Sequence, residues 1–258
     1  MKFKPSVRLL VAAVIVGVAP FCTAFAQSGS RYQLRFIVQQ LCLTHWRLTR
    51  DPAPCMRLTV NGDGADTQGF ALLADRKGGA HLLLIPVASI SGIESGAVRV
   101  RDAFNFFDAA WQARDALAGM VGYRPARATI GLAVNPIRGR SQDQLHIHIA
   151  CLNPSVFRAL QDHAAKLGTA WSTIRIGTVS YEALRIMGGT LGKHNPFELL
   201  ATHVPGSNDQ IMGRYTLLVA GMSYQEGPGF VLLAGDTHVP PAELLLDGSC
   251  SVLRRRPN

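Results

Sequence analysis

No aspartate or glutamate occurs before Asp51. The start of the chain is therefore purely basic wherever it is charged. Lys2, Lys4 and Arg8 lead into an apolar run, Leu9 to Ala19, and Ala24-Phe25-Ala26 then forms a small-x-small pattern ahead of Gln27. A basic flank, an apolar stretch and an A-x-A site describe a secretory signal. The run is short for a bilayer span, which takes about 20 residues. Counted on through Ala26 it approaches that length, although Pro20 interrupts it. Residues 1–26 thus read either as a cleaved signal or as a retained anchor. Cys22 follows Pro20-Phe21 rather than the small residues of a lipidation site. On either reading the basic flank stays inside, and residues 27–258 lie outside the cytoplasm.

Charge is scarce elsewhere too, at 17 % of residues against 48 % hydrophobic. That balance excludes a disordered chain. Without residues 1–26 the formal net charge falls from +9 to +6, because three basic and no acidic side chains leave. The surplus is spread out and no aromatic-basic motif accompanies it, so nucleic acid is not an expected partner. There is no internal repeat and no long Ser/Pro-rich linker, which points to one continuous α+β domain over residues 27–258.

No two of the five cysteines are spaced C-x-x-C, which speaks against a zinc site of that kind. Setting Cys22 aside leaves Cys42, Cys55, Cys151 and Cys250. An even number in an exported protein suggests two disulfides, with three pairings open. Local closure favours Cys42–Cys55, with Cys151–Cys250 tying a central strand to the tail. Four buried thiols are the alternative.

Apolar spacing predicts an amphipathic helix over 31–45, from Leu34, Ile37, Val38 and Leu41. Residues 50–66 read as loop. Gly69–Ala74 and His81–Val87 read as a hairpin around Asp75-Arg76-Lys77-Gly78-Gly79. Asp102 can cap a helix of about 18 residues. Ala128–Val134 and 144–152 read as strands, and Pro154 opens another helix. Region 171–210 reads mostly as loop and short helix. Tyr215–Ala220 and Phe230–Ala234 read as a second hairpin.

The most informative segment is Gln144-Leu145-His146-Ile147-His148-Ile149-Ala150-Cys151. Strand alternation turns Leu145, Ile147, Ile149 and Cys151 to the core and Gln144, His146 and His148 to the other face. The two histidine Cα atoms are then about 6.6 Å apart, two strand rises. The loop just upstream, Asn135 to Gln142, offers two guanidiniums, an amide, a hydroxyl and glycine backbone, all suited to phosphate oxygens. A neutral imidazole there can attack phosphorus or move a proton near pH 7. The same pair also suits a metal, with a third ligand from His81, His194, His203 or Glu94. An exposed polar face without chemistry is the plainest reading.

Asn135 through Cys151, NPIRGRSQDQLHIHIAC, resembles the signature region of the CDP-diacylglycerol pyrophosphatases, exported or membrane-associated members of the histidine-triad (HIT-like) superfamily. Ile85-Pro86 with Ile90 to Ser95, Asn105-Phe106-Phe107 with Ala110 to Arg114, and Met212 to Tyr215 resemble other parts of that family in order. The likeness spans roughly residues 31–253. It implies a HIT-like antiparallel sheet with flanking helices and a phosphoric anhydride hydrolase that needs no cofactor or metal. The implied substrate and partner is CDP-diacylglycerol, met at the membrane surface on the periplasmic face of a bacterial inner membrane. The superfamily motif His-φ-His-φ-His-φ-φ falls on Gln144, His146 and His148, so Gln144 departs from the triad. The implied nucleophile is His146, forming a cytidylyl-histidine as phosphatidate leaves. His148, Arg140, Ser141 and Gln142 would stabilise the phosphoryl oxygens. Beside the resemblance, Asn135 belongs to the loop suited to phosphate, Glu94 could contact the nucleotide or form a structural turn, and Arg214 could reach phosphate or be surface charge. Two other functions share the chemistry or the face: a nucleotidyl transferase or pyrophosphatase on a soluble nucleotide, and a non-catalytic metal- or ligand-binding protein built on His146 and His148.

Overall fold

The computed structural model describes residues 30–61 and 68–253. The expected signal or anchor, residues 1–26, lies outside the described residues. The N-terminal helix runs without a break through α1 (Gln33–Phe36), a π-helical stretch (Ile37–Cys42) and α2 (Leu43–Thr49). It is followed by β1 (Arg57–Asn61), β2 (Gln68–Ala74) and β3 (His81–Pro86). Three helices come next: α3 (Gly96–Arg99), α4 (Phe106–Ala113) and α5 (Leu117–Val121). The chain continues through β4 (Ile130–Val134), β5 (Ile147–Leu152) and α6 (Pro154–His163). It then forms β6 (Ser172–Ile176), β7 (Val179–Met187), α7 (Pro196–His203) and α8 (Asp209–Met212). It closes with β8 (Thr216–Tyr224), β9 (Gly227–Gly235) and the two-residue β10 (Leu246–Asp247).

All ten strands join one antiparallel sheet in the order β1-β2-β3-β5-β4-β8-β9-β7-β6, with β10 added to β5. Its strands carry apolar side chains on both faces, and each face is covered. On one face, α4, α5 and α7 bury Trp111, Phe107, Leu117 and Phe197 against Leu82, Leu84, Ile147, Ile149 and Leu132. Full burial of a side chain of this size is worth about 1.5–3 kcal/mol. The other face is covered in two patches. The N-terminal helix packs Leu34, Val38 and Cys42 on Leu83 and Ile85. The second patch lies under α6 and the 3₁₀ turn Ala242–Leu245, which pack on Ala133, Leu152 and Leu218. Between these two patches a strip of sheet is left for polar side chains.

The expected α+β class and the two hairpins are present. Four local expectations are corrected. The 50–66 loop contains β1, which pairs with β2. Region 171–210 contains the β6–β7 hairpin, and β7 is held by six pairings to β9. Its Glu182, Ala183, Leu184 and Arg185 favour helix, but cross-strand pairing decides. Helix α4 starts at Asn105, whose side-chain oxygen accepts from the Asp108 N–H. Asp102 stands three residues earlier, in the left-handed region at φ 64°. The expected 18-residue helix is broken after Ala113 by a 3₁₀ turn. Both favoured disulfides form, Cys42–Cys55 and Cys151–Cys250.

Candidate active site

Strand β5 sits between β3 and β4, and its register places His148 opposite Leu83 on one side and Ala133 on the other. Those two residues belong to the two patches of the doubly covered face. His146 and His148 therefore emerge in the strip between them, as alternation requires. His81, at the start of β3, lies diagonally from His148 on the same face. All three histidines are buried.

His146 Nδ1 is 2.7 Å from the Gln144 carbonyl oxygen. A carbonyl only accepts, so Nδ1 carries the proton and Nε2 keeps its lone pair. Burial, and then the neighbouring His148, push the His146 pKa down to about 4. The ring is thus neutral near pH 7, with one nitrogen tethered and the other nucleophilic.

His148 bridges two partners. Its Nδ1 is 3.0 Å from His81 Nε2. Its Nε2 is 3.0 Å from Glu243 Oε2, at ion-pair distance but too bent for a straight hydrogen bond. His81 Nδ1 in turn faces Asp75 Oδ2 at 3.5 Å. Burial, and then His148, lower the His81 pKa to about 4. A neutral His81 with Nδ1–H toward Asp75 presents a lone pair to His148 Nδ1–H. Asp75, His81, His148 and Glu243 thus form one contiguous chain of polar contacts across the strip.

Glu243 organises this end of the site. It accepts from Lys77 Nζ and Asn135 Nδ2, both at 2.8 Å, and its own N–H donates to Asn135 Oδ1 at 3.1 Å. The contact with His148 is the largest cause holding its carboxyl well below the usual range, ahead of those from Lys77 and Asn135. His146 and His148 open into a cleft of about 530 Å³. Leu34, Ile37, Leu73 and Leu83 give it apolar walls, and Arg76, Lys77 and Ser141 give it a polar rim.

The other expected site residues fall into different places. Asn135, Ser141 and Gln142 line the cleft. Gln142 also accepts from the Leu34 N–H and so pins the N-terminal helix. Gln144 is wholly buried; its amide donates to the Pro86 and Ala88 carbonyls and accepts from Arg35. It contributes its backbone to His146, not its side chain. Arg140 and Glu94 form a two-pronged pair at 2.6 and 2.8 Å, and Arg140 also holds Asp143. Burial opposes the Glu94 charge, but hydrogen bonds from Arg140 and Ser91 outweigh it and lower its pKa. Gly92 permits this pair, because a Cβ there would collide with the Arg140 guanidinium. Arg214 lines a second cleft of about 590 Å³ with Arg138, Ile137 and Pro241, which meets the first at Gly139. His194 and His203 line a separate depression with Trp171, away from His146.

Asp75, His81 and His148 offer ligand atoms within 4.8 Å of one another, the group among the described residues that could hold a cation. His81 was a ligand candidate from sequence. Asp75, Lys77 and Glu243 carried no signal: the first two read as a hairpin connection, and Glu243 follows Pro240-Pro241 in a tail without a motif. Only strand pairing reveals them.

The family model for CDP-diacylglycerol pyrophosphatase matches residues 29–254. A protein of Yersinia pestis named CDP-diacylglycerol pyrophosphatase is 37 % identical, over 89 % of this chain and 91 % of that one.

Proposed function

The chain belongs to the CDP-diacylglycerol pyrophosphatase family and is a phosphoric anhydride hydrolase; from that premise we propose that it cleaves CDP-diacylglycerol through a covalent cytidylyl-histidine. The observation that carries this reading is the tethered His146, neutral and with Nε2 free of the Gln144 carbonyl. Nε2 attacks the CMP-side phosphorus, the phosphoanhydride bond breaks, and phosphatidate leaves with the bonding electron pair. Water then attacks the same phosphorus, returns Nε2 to His146 and releases CMP and a proton. Dividing the displacement in two is the benefit of covalent catalysis. His148, facing Glu243, meets the His146 ring edge-on at 4.9 Å and lies where the phosphoryl oxygens gain negative charge. Lys77, Arg76 and Ser141 supply further donors from the rim. Gln142, Arg140 and Glu94 fix the loop that carries Ser141.

The spacing of His146 and His148 and the carbonyl tether of the nucleophile support a histidine-triad-like kinship for this sheet. Two disulfides support folding in an oxidising compartment. With the lipid substrate, they support a location at the periplasmic face of the inner membrane. No helix among the described residues is long and apolar enough to cross a membrane.

Incubation with CDP-diacylglycerol and with soluble dinucleotides, without added metal, tests the function by product mass. CMP and phosphatidate from the lipid are expected; their absence rejects it. The Asp75–His81–His148 cluster favours one alternative, a metal-binding protein. Stoichiometric zinc abolished by changing His148, with no hydrolysis, would establish that instead.

A further inference from the structure

The N-terminal helix has one face on the sheet, and among the described residues nothing covers the other. Leu34, Val38, Cys42 and Leu43 are buried inward. Tyr32, Phe36, Leu41 and Leu48 point outward and are 54, 55, 40 and 79 % exposed, with Met56 beside the Cys42–Cys55 disulfide at 49 %. The π-helical stretch Ile37–Cys42 widens the turn there, so Leu41 joins Phe36 on the outer side. A row of large apolar side chains on an uncovered helix marks an interaction surface.

Three observations identify the occupant. Residues 31–50 carry Arg31, Arg35, Arg47 and Arg50 and no acidic side chain. Arg31 pairs with Asp143, Arg35 donates to Gln144 and to the Asp143 carbonyl, and Arg50 lies over the Trp46 ring. Tyr32 and Phe36 put aromatic rings at one end of the row, as at a bilayer interface. The same helix turns Gln33, Leu34 and Ile37 into the wall of the histidine cleft, with exposed Arg76 and Lys77 on the facing lip. We propose that this outer face, from Tyr32 to Leu48, lies on an anionic phospholipid bilayer and sets the mouth of the His146 cleft at the headgroup level. Basic residues and apolar anchors on one helix are the signature of interfacial binding. The purpose of the contact, delivery of a lipid-linked nucleotide, rests on the function proposed above; the contact itself does not.

The test uses the full-length chain in two arms. In the first, the F36W variant meets substrate-free vesicles of phosphatidylcholine with or without phosphatidylglycerol, their acyl chains brominated. Wild type gives the background from Trp46, Trp111 and Trp171. The added tryptophan is expected to be quenched in anionic vesicles, and less so in neutral vesicles or at high salt. Quenching no greater than background overturns the proposal. So does a blue shift that grows with protein concentration without vesicles, which would mean a second copy covers the face. In the second arm, Tyr32, Phe36 and Leu48 are changed together to Gln. Turnover of CDP-diacylglycerol in anionic vesicles should fall about tenfold or more, since about 1.4 kcal/mol of lost binding suffices for tenfold. Turnover of detergent-dispersed substrate should stay within twofold. Equal loss in both formats, or in neither, overturns the proposal. If wild type turns over neither format, the functional reading fails, and quenching still decides the surface.

Discussion

At the scale of single residues, one side chain is made reactive and others are spent in holding it. Glu243 is a positioning residue, since it reaches His148 and not the reacting phosphorus. Glu243→Gln removes the negative charge that faces His148 Nε2 at 3.0 Å. We expect kcat to fall by about 10–100-fold, the range seen when an orienting partner of a functional histidine is lost. KM should change less than threefold, and Glu243→Asp should recover part of kcat. An unchanged kcat contradicts this positioning role. Arg140 and Glu94, expected from sequence to touch substrate, are bound to each other. Breaking a buried pair by removing one partner costs about 3–5 kcal/mol. Arg140→Met should therefore lower stability in urea by an amount of that order while KM moves little. A large rise in KM with stability intact would restore Arg140 as a substrate contact.

Elements differ in how far the sequence reveals them. The alternation around His146 and His148 is legible because one face is uniformly apolar, and β5 forms with the expected sidedness, although it starts at Ile147 and not at Gln144. The Asp75–Gly79 connection is legible from its glycines, which both take positive φ at Gly78 and Gly79. β7 is not legible, because its Glu182–Arg185 stretch favours helix and only pairing with β6 and β9 makes it a strand. Glu243 is illegible for a related reason: its 3₁₀ turn matters only once it packs beside β4 and β5. The disulfides also act at this scale. Cys42–Cys55 closes a separation of 13 residues and Cys151–Cys250 one of 99. In the chain-entropy account, loops of about 15 and 100 residues are worth about 3 and 4.7 kcal/mol. Replacing Cys151 and Cys250 together with Ser should therefore destabilise more than replacing Cys42 and Cys55, by equilibrium denaturation. The reverse order contradicts this ranking.

The whole molecule leaves one strip of a doubly covered sheet open and fills it with histidines, of which His81 and His146 have their charge suppressed by the fold. That has a consequence for pH. Unfolded imidazoles titrate near 6.5, whereas His81 and His146 do so at about 4 in the fold. Between those values the unfolded chain binds more protons, so stability falls as pH drops from about 6.5 toward 4 and is insensitive to these groups above 6.5. Asp143, brought to about 2 first by Arg31 and then by Arg140, extends the loss at lower pH. Thermal melts at pH 7.5 and 5 should differ by about 2–8 °C, the shift expected for a change of roughly 1–2 kcal/mol in a chain of this size. An equal or higher Tm at pH 5 contradicts the burial of neutral histidines. The central claim concerns the bond that His146 forms. CDP-diacylglycerol labelled at the CMP-side phosphorus is mixed with excess enzyme, quenched in alkaline denaturant within milliseconds to seconds, and the peptides are mapped. The account predicts a transient label on His146 that disappears as CMP forms, and no label and at least about 10³-fold slower CMP release in His146→Ala, the loss expected of a missing nucleophile. Near-normal CMP release by that variant, or a label on another residue, would contradict it.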